Sequence, residues 1–250
     1  MSDITSSMAP WLQRQLRVLL SRRGHAWLLH GPSGLGRYEL ALALAQAWLC
    51  EQRGEEGACG HCPSCLGFER RTHADLCALM PETHALALGW PLDEKAQQDI
   101  EDKKRKPSKE IRAEAARQMV SFTQTTQLGS QGQVVFIHPA DRMNTVTANT
   151  LLKTLEEPPD YLKFVLATTD PQKVPVTVLS RCLQFNLKRL SVGLITERMK
   201  YILGAEKIAF EPAAVRLVAQ AADGSMRDGL SLLDQLLAFG GGEASEAAAR

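Results

Sequence analysis

The sequence predicts a mostly parallel α/β domain followed by a small helical domain, and two observations lead to this fold class. Short apolar runs of the kind that form buried strands alternate with longer segments in which apolar residues recur at helical spacing. Such alternation favours a parallel sheet with helices on both faces. After about residue 188 the strand-like runs end and three helical stretches follow one another. We therefore expect an α/β domain over residues 1–188, a helical domain over residues 189–240 and a frayed tail over residues 241–250.

The individual elements follow from the same periodicities. Strands are expected over residues 25–30, 75–79, 133–138, 163–168 and 182–187, of which 75–79 has the weakest pattern. A helix over residues 37–49 follows a glycine-rich turn, and another over residues 148–156 stops before two prolines. The helical domain is expected to contain helices over residues 192–203, 212–222 and 226–239.

Residues 82–108 form a segment of a different kind. They are dense in charge and poor in large apolar side chains, which predicts a mobile insertion in the α/β domain. The basic run at residues 103–106 either contacts DNA or lies in a solvated loop, and the solvated loop is the favoured alternative.

Length and charge narrow the functional classes. None of the apolar runs approaches the roughly 20 residues of a membrane span, and the N-terminus lacks the pattern of a secretory signal. We therefore expect a cytoplasmic protein without a membrane partner. A formal net charge of +1 argues against a protein that coats DNA by itself, because non-specific DNA binding requires neutralisation of phosphates. A subunit of a DNA-binding assembly remains compatible with this charge.

Four clustered cysteines predict a structural zinc site. Two residues between cysteines let both thiolates reach one ion from a tight turn, and four thiolates close its tetrahedral shell. The spacing is C-x8-C-x2-C-x2-C, formed by Cys50, Cys59, Cys62 and Cys65. The alternative is four reduced cysteines in a loop. His61 is a rival ligand that we expect to point away, and Cys77 and Cys182 are expected to be buried thiols.

Residues 31–38, GPSGLGRY, have the context of a phosphate-binding loop between a strand and a helix. Gly31, Gly34 and Gly36 allow backbone N–H groups to surround a phosphate at the helix N-terminus. An active loop continues with Lys, which reaches the β- and γ-phosphates, and with Ser or Thr, which holds Mg²⁺. Arg37 and Tyr38 occupy these two positions here.

A second acidic motif should end the strand VVFI, where ATPases place Asp for Mg²⁺ and often Glu to activate water. His138 and Pro139 stand there instead, and Asp141 follows three residues after His138, where we expect a helix to begin. Because both halves of the site lack their usual residues, the sequence predicts that ATP is not hydrolysed. Weak nucleotide binding through the backbone loop stays open, as does an ordinary strand-to-helix turn.

Three further segments carry a resemblance to a known family. They read NTLLKTLEEPP (149–159), LATTDPQKVPVTVLSRC (166–182) and GSMRDGLSLLD (224–234). With the cysteine insertion, they resemble the bacterial clamp-loader family of DNA polymerase III over nearly the whole chain. The resemblance implies a RecA-like AAA+ domain with an inserted zinc module, followed by a helical lid. The first half is similar to delta-prime subunits, whereas the second half, from about residue 151, is closer to tau/gamma motor subunits.

The resemblance also implies roles for single residues. Arg181, in the Ser180-Arg181-Cys182 motif, would be an arginine finger that enters the ATP site of a neighbouring subunit, although a surface arginine in a salt bridge is the plainer alternative. Thr169 matches a polar sensor, and Arg227 matches a second sensor that reads nucleotide bound to its own subunit or is merely structural.

The expected helix that contains the LLKTLEEPP motif carries Lys153, Glu156 and Glu157. The resemblance implies that this region faces DNA or a neighbouring subunit, and a capped amphipathic helix is the alternative.

The function implied is that of a non-catalytic clamp-loader subunit at the bacterial replisome. Its partners would be tau/gamma and delta subunits, with the sliding clamp and primed DNA reached through the assembly. Alternatives are an active tau/gamma-type ATPase in which Arg37 replaces Lys, and a zinc-bearing interaction module without a loader role. Family members usually continue into a third helical domain that forms a collar. This sequence ends after the second domain, so we expect either a fragment or a short form.

Overall fold

The computed structural model describes residues 8–125 and 131–249. The chain divides into two compact units: one contains the residues up to His30 together with Arg37–Phe185, and the other contains Gly31–Gly36 together with the residues from Asn186 onward. In the first unit the helices are α1 Pro10–Leu20, α2 Arg37–Leu49, α3 Pro63–Glu69, α4 Glu82–Leu88, α5 Glu94–Glu101, α6 Ala113–Thr123, α7 Thr145–Glu156 and α8 Val176–Leu179. The strands are β1 Ala26–His30, β2 Leu76–Leu79, β3 Gln133–Ile137, β4 Leu162–Thr168 and β5 Leu183–Asn186.

These strands form a single sheet in the order β2-β3-β4-β1-β5, and the pairs β2–β3, β3–β4 and β4–β1 are parallel. In the central strands Leu166 of β4 lies opposite Leu28 of β1 and Ile137 of β3. The carboxyl ends of parallel strands share one edge, and this brings His30 beside Thr168. The predicted parallel α/β sheet is confirmed.

Alternate strand residues pack on opposite faces of the sheet, which follows from the two-residue period of a strand. One set, including Val135, Phe164 and Leu166, shares a core with Leu151 and Leu155 of α7. Helix α2 contacts β3 and β4 and is buried along almost its whole length. Its sequence RYELALALAQAWL suits that position because apolar residues surround the helix instead of forming one stripe.

The segment 82–108, predicted as a mobile insertion, contains the helices α4 and α5. Glu82 anchors it, because its carboxylate accepts hydrogen bonds from Arg105 Nη1 at 2.6 Å and Nη2 at 2.9 Å. Ser108 N donates to the same carboxylate at 2.8 Å, and Arg112 Nε lies 3.1 Å from it. Composition could not reveal this network. Lys103, Lys104 and Lys106 are exposed in the chain between α5 and α6.

The second unit contains α9 Val192–Ala205, α10 Pro212–Ala221, α11 Met226–Phe239 and α12 Glu246–Ala249. In the tail predicted to fray, Ala244 is fully buried and pairs with the chain before α10, and helix α12 follows. Ala244 N donates to Ala209 O at 3.1 Å, and Glu211 N donates to Ala244 O at 2.8 Å. In the described parts of both units, no helix combines the length and the apolar character that crossing a membrane requires.

Candidate phosphate loop, Arg181 and cysteine cluster

The phosphate loop lies in the second unit and has the backbone conformation that its glycines permit. Gly31, Gly34 and Gly36 have φ values of +146°, +78° and +83°. A Cβ atom at Gly34 would lie 2.1 Å from Ser225 Oγ, so only glycine fits there. Met226 N donates to Gly34 O at 3.1 Å, which joins the loop to the start of α11.

Arg227, predicted as a sensor residue, lies next to this loop. Its Nη1 atom donates a hydrogen bond at 3.4 Å to the hydroxyl of Ser33, the residue before Gly34. The structure therefore brings the loop and Arg227 together within one unit.

In the first unit, Arg37 and Tyr38 begin α2, and both are largely buried. The Tyr38 hydroxyl accepts a hydrogen bond from Trp90 Nε1 at 2.7 Å. The Tyr38 ring centroid lies 4.9 Å from that of His138 and 5.8 Å from that of Phe136. Burial raises the pKa of Tyr38, so the phenol stays neutral.

His138 follows β3 directly, where an ATPase has its acidic residue. Burial, followed by the charges of His84 and Arg37, lowers the pKa of His138 to about 4, so the imidazole is neutral at pH 7. The two positions at which Mg²⁺ ligands are expected therefore hold a phenol and a neutral imidazole, packed ring against ring. Neither supplies the anionic oxygen that Mg²⁺ prefers.

Asp141 begins no α-helix but lies in a 3₁₀ turn, Ala140–Arg142. Its Oδ1 accepts a hydrogen bond from Thr168 Oγ1 at 2.5 Å, and Asp170 N donates to the same Thr168 hydroxyl at 3.1 Å. Thr168 is fully buried at the end of β4, whereas the predicted sensor Thr169 is exposed. Sequence reasoning missed Thr168; the alternation of β4, which places Thr168 and Leu166 on one face, was the available signal.

Arg181 lies in the turn after α8, with 31% of its side chain exposed. Its Nη1 atom donates to Thr177 O at 2.7 Å and to Ser180 Oγ at 3.1 Å. Its Nη2 atom donates to Glu156 Oε1, at the end of α7. Next to it, burial raises the pKa of Cys182 to about 12, in keeping with a thiol. The salt bridge weighed as the plainer alternative is thus present within the single chain, and the guanidinium still reaches solvent.

The four cysteines converge at the start of α3. Their Sγ atoms all lie within 4.8 Å of one another, and the Cys50–Cys62 and Cys59–Cys65 pairs are each 3.9 Å apart. Cys62 caps α3 by accepting from Cys65 N, and Gly60 has a φ of +78° that allows the preceding turn. The backbone N–H of His61 contributes most to lowering the pKa of Cys59 to about 6.

This group of sulfurs fits a zinc ion. Tetrahedral Zn²⁺ with Zn–S bonds of ~2.3 Å holds its sulfurs ~3.8 Å apart, which agrees with the two shorter separations. His61, the rival ligand, is exposed and its Nδ1 lies 2.8 Å from Cys59 O. It lies outside the group, as expected. Four thiolates around one zinc ion would leave no position for a substrate, so such a site would be structural.

Comparison with known proteins places this arrangement in a class. The fold is similar to the solved structure of the Thermotoga maritima RuvB Holliday junction branch migration motor, with a TM-score of 0.56 and 16% identity over 95% of this chain and 66% of that one. The fold is therefore a RecA-like α/β domain followed by a helical domain. Residues 8–191 match the family described as "DNA polymerase III, delta subunit", and residues 194–242 match "DNA polymerase III clamp loader subunit, ATPase lid domain". The chain belongs to the DNA polymerase III clamp-loader family.

Relatives of both subunit types are found. The chain is 38% identical over 226 residues to DNA polymerase III subunit tau of Escherichia coli (strain K12), which covers 90% of this chain and 31% of that protein. It is 35% identical over 178 residues to subunit delta' of Pseudomonas aeruginosa (strain ATCC 15692), which covers 70% of this chain and 47% of that protein. The chain thus spans about a third of the tau subunit and about half of the delta-prime subunit. The predicted family is confirmed.

Proposed function

We propose that this chain is a clamp-loader subunit of the delta-prime kind, which does not hydrolyse ATP and lends Arg181 to the ATP site of a neighbouring motor subunit. It would help to place the sliding clamp on primed DNA, together with tau/gamma and delta subunits in the bacterial cytoplasm. The observation that carries the proposal is the packing of Tyr38 against His138, with ring centroids 4.9 Å apart.

This packing affects ATP hydrolysis because it occupies the positions that would hold Mg²⁺. In P-loop ATPases, Mg²⁺ is held by a hydroxyl of the phosphate loop and by a carboxylate at the end of a second strand of the sheet. Here the Tyr38 hydroxyl is bonded to Trp90 Nε1, and His138 replaces the carboxylate. Asp141, the carboxylate that follows, is bonded to the buried Thr168 hydroxyl. Rebuilding a metal site would require all three side chains to leave these contacts.

Arg181 supports the second half of the proposal. A guanidinium stabilises the charge that develops on a transferred phosphoryl group, and it needs no ATP site of its own subunit to do so. Arg181 is partly exposed and fixed by three hydrogen bonds to its own chain. Such an arginine is suited to act on a nucleotide bound by another subunit.

The cysteine cluster fits a supporting role in this proposal. Cys50, Cys59, Cys62 and Cys65 would hold Zn²⁺ as a structural ion that fixes the chain between α2 and α3. When bound, zinc supplies a covalent-like constraint on this segment and takes no part in ATP chemistry.

An active motor of the tau/gamma kind is the second candidate. The 38% identity to the E. coli tau subunit favours it, and Arg37 supplies a cation at the position of the usual Lys. Arg is larger and forked, however, and no carboxylate follows β3 directly. The two candidates differ in a single measurable property, which is ATP turnover by the isolated chain.

The experiment measures ATP turnover by the chain alone and by a tau/gamma–delta assembly with and without the chain. We expect no turnover alone and stimulation of the assembly, which Arg181→Ala lowers by at least about tenfold, since arginine fingers contribute large factors. Arg216→Ala, which removes an exposed arginine on α10, is the matched control and should leave stimulation unchanged. Turnover by the isolated chain that Arg37→Ala abolishes would establish the motor instead.

A further inference from the structure

Hydrogen bonds within the described part of the chain use only some of the N–H donors of the Arg181 guanidinium. Arginine has five N–H donors. Among the described residues, Nη1 donates to Thr177 O and Ser180 Oγ, and Nη2 donates to Glu156 Oε1. The Nε–H and one Nη2–H are left for a ligand, and 31% of the side chain is exposed to reach one.

The carboxylate that accepts the hydrogen bond from Arg181 Nη2 belongs to helix α7, which packs on the core. Glu156 is the last residue of α7, and its neighbour Leu155 is buried in the core beneath the sheet. Thr177 and Ser180 belong to the short segment that carries Arg181 itself, so they move with it. Glu156 is thus the contact that fixes the guanidinium relative to the main body of the α/β unit.

We propose that Glu156 is a positioning residue for the arginine finger: it orients the Arg181 guanidinium before the neighbouring subunit binds. This inference rests on the proposed function of Arg181. The ion pair keeps the guanidinium in one orientation and leaves its remaining N–H donors available. Orienting a charged group before the reaction lowers the activation barrier without changing how ATP is bound.

The sequence offers a control carboxylate four residues later, outside the LLKTLEEPP motif. Asp160 is also exposed, and in the described part of the chain its side chain makes no ion pair. A general effect of negative charge near the subunit surface would act at both positions. An effect through Arg181 would act at Glu156 alone.

The test is a double-mutant cycle on ATP turnover by the tau/gamma–delta assembly containing the chain. We expect Glu156→Ala to lower kcat about tenfold with KM for ATP unchanged, because a misplaced catalytic group affects the transition state. Glu156→Gln keeps an oxygen acceptor and should recover part of the loss, and Asp160→Ala should leave kcat within about twofold of the parent. In the Arg181→Ala background, Glu156→Ala should have no further effect.

Each other outcome overturns the inference in a recognisable way. An equal loss from Glu156→Ala in both backgrounds would mean that Glu156 acts on structure and not through Arg181. A gain in kcat would mean that the ion pair restrains the finger, and an unchanged kcat would mean that the pair has no role. If Arg181→Ala itself has no effect, the proposed function fails first. Thermal unfolding of each variant shows whether a loss reflects misfolding, and Glu156→Gln preserves the test if the alanine variant is unstable.

Discussion

Trp90 Nε1 donates a hydrogen bond to the Tyr38 hydroxyl at 2.7 Å, and this bond joins the position of the usual Mg²⁺-binding hydroxyl to the chain just after α4. Trp90 is buried, so its N–H group depends on the Tyr38 hydroxyl as its acceptor. Phe136, whose ring centroid lies 6.0 Å from that of Trp90, continues the aromatic group toward His138. The position of the usual Mg²⁺-binding hydroxyl is in this way packed against aromatic side chains of the α/β unit.

Tyr38→Phe should therefore destabilise the protein. The phenyl ring keeps the packing but leaves the Trp90 N–H without its acceptor, and an unsatisfied buried donor costs about 1–3 kcal/mol. Urea unfolding followed by Trp fluorescence measures the loss. Tyr201→Phe makes the same chemical change on an exposed side chain of α9 and should change stability by less than about 0.5 kcal/mol. Equal effects of the two substitutions would contradict the importance of this bond.

His138 predicts a specific dependence of stability on pH. Because burial and the charges of His84 and Arg37 lower its pKa to about 4, the unfolded chain takes up the proton first as pH falls. The contribution of His138 is thus present above the ordinary pKa of about 6.5 and is lost between that pH and about 4. Its full extent is about 3 kcal/mol. Asp141, which also faces this ring, acts in the opposite direction.

Chemical unfolding at pH 7.5, 6.0 and 5.0 measures this loss. His138→Phe should show a smaller decrease in stability over that range, while His84 and His30, whose pKa values burial also lowers, keep part of the slope. Parallel curves for the parent and His138→Phe would show that this imidazole is not held neutral in the folded protein.

The sequence was sufficient for features that depend on local pattern. Apolar runs such as AWLLH and QVVFI appear as the buried strands β1 and β3, and the strand-helix alternation gave the parallel sheet. The cysteine spacing also determined a local geometry, since C-x2-C turns and the start of α3 bring the thiols together. In each case the residues that decide the structure lie close together in the chain.

Features that depend on contacts between distant residues could not be predicted in this way. Glu82 and Arg105 are 23 residues apart, and composition alone described their segment as a charged insertion. Thr168 and Asp141 are 27 residues apart, and the resemblance that pointed to Thr169 gave no sign of the hydrogen bond between them. Ala244 pairs with residue 210 through backbone atoms, for which side-chain periodicity gives no signal. These positions require the fold before they can be recognised.

Glu82 should hold α4 and the chain through Arg112 in place. Burial would raise the pKa of Glu82, but hydrogen bonds from Arg105 and Ser108 and the charge of Arg112 lower it overall. The stabilisation is therefore present above the ordinary pKa of about 4.5 and is lost as pH falls through the lowered value. Glu82→Gln at pH 7 should reduce stability by about 1–3 kcal/mol, because charge-assisted bonds to two arginines are weakened.

Hydrogen exchange shows whether this loss is local. Amides of residues 82–108 should exchange faster in Glu82→Gln, whereas those of β3 and β4 should change little. Glu110→Gln changes an exposed carboxylate nearby and is the control. Fast exchange over residues 82–108 already in the parent protein would restore the original expectation of a mobile insertion.

The cysteine cluster should bind one zinc ion per chain, and the ion should stabilise the α/β unit. Cys62→Ser removes one of four sulfurs that lie within 4.8 Å of one another, and we expect it to lose most of the zinc and to lower Tm by about 5–10 °C. Cys77→Ala is the matched control, because burial raises the pKa of Cys77 to about 12 and this thiol lies outside the group. The Cys77→Ala variant should keep its zinc.

Elemental analysis of the purified chain measures the zinc content, and thermal unfolding with and without a chelator measures the stabilisation. Because thiolates and not thiols bind the metal, zinc should also be released more readily as the pH falls. A parent protein that contains no zinc, or whose Tm is unaffected by the chelator, would show that the four cysteines are simply reduced thiols in a loop.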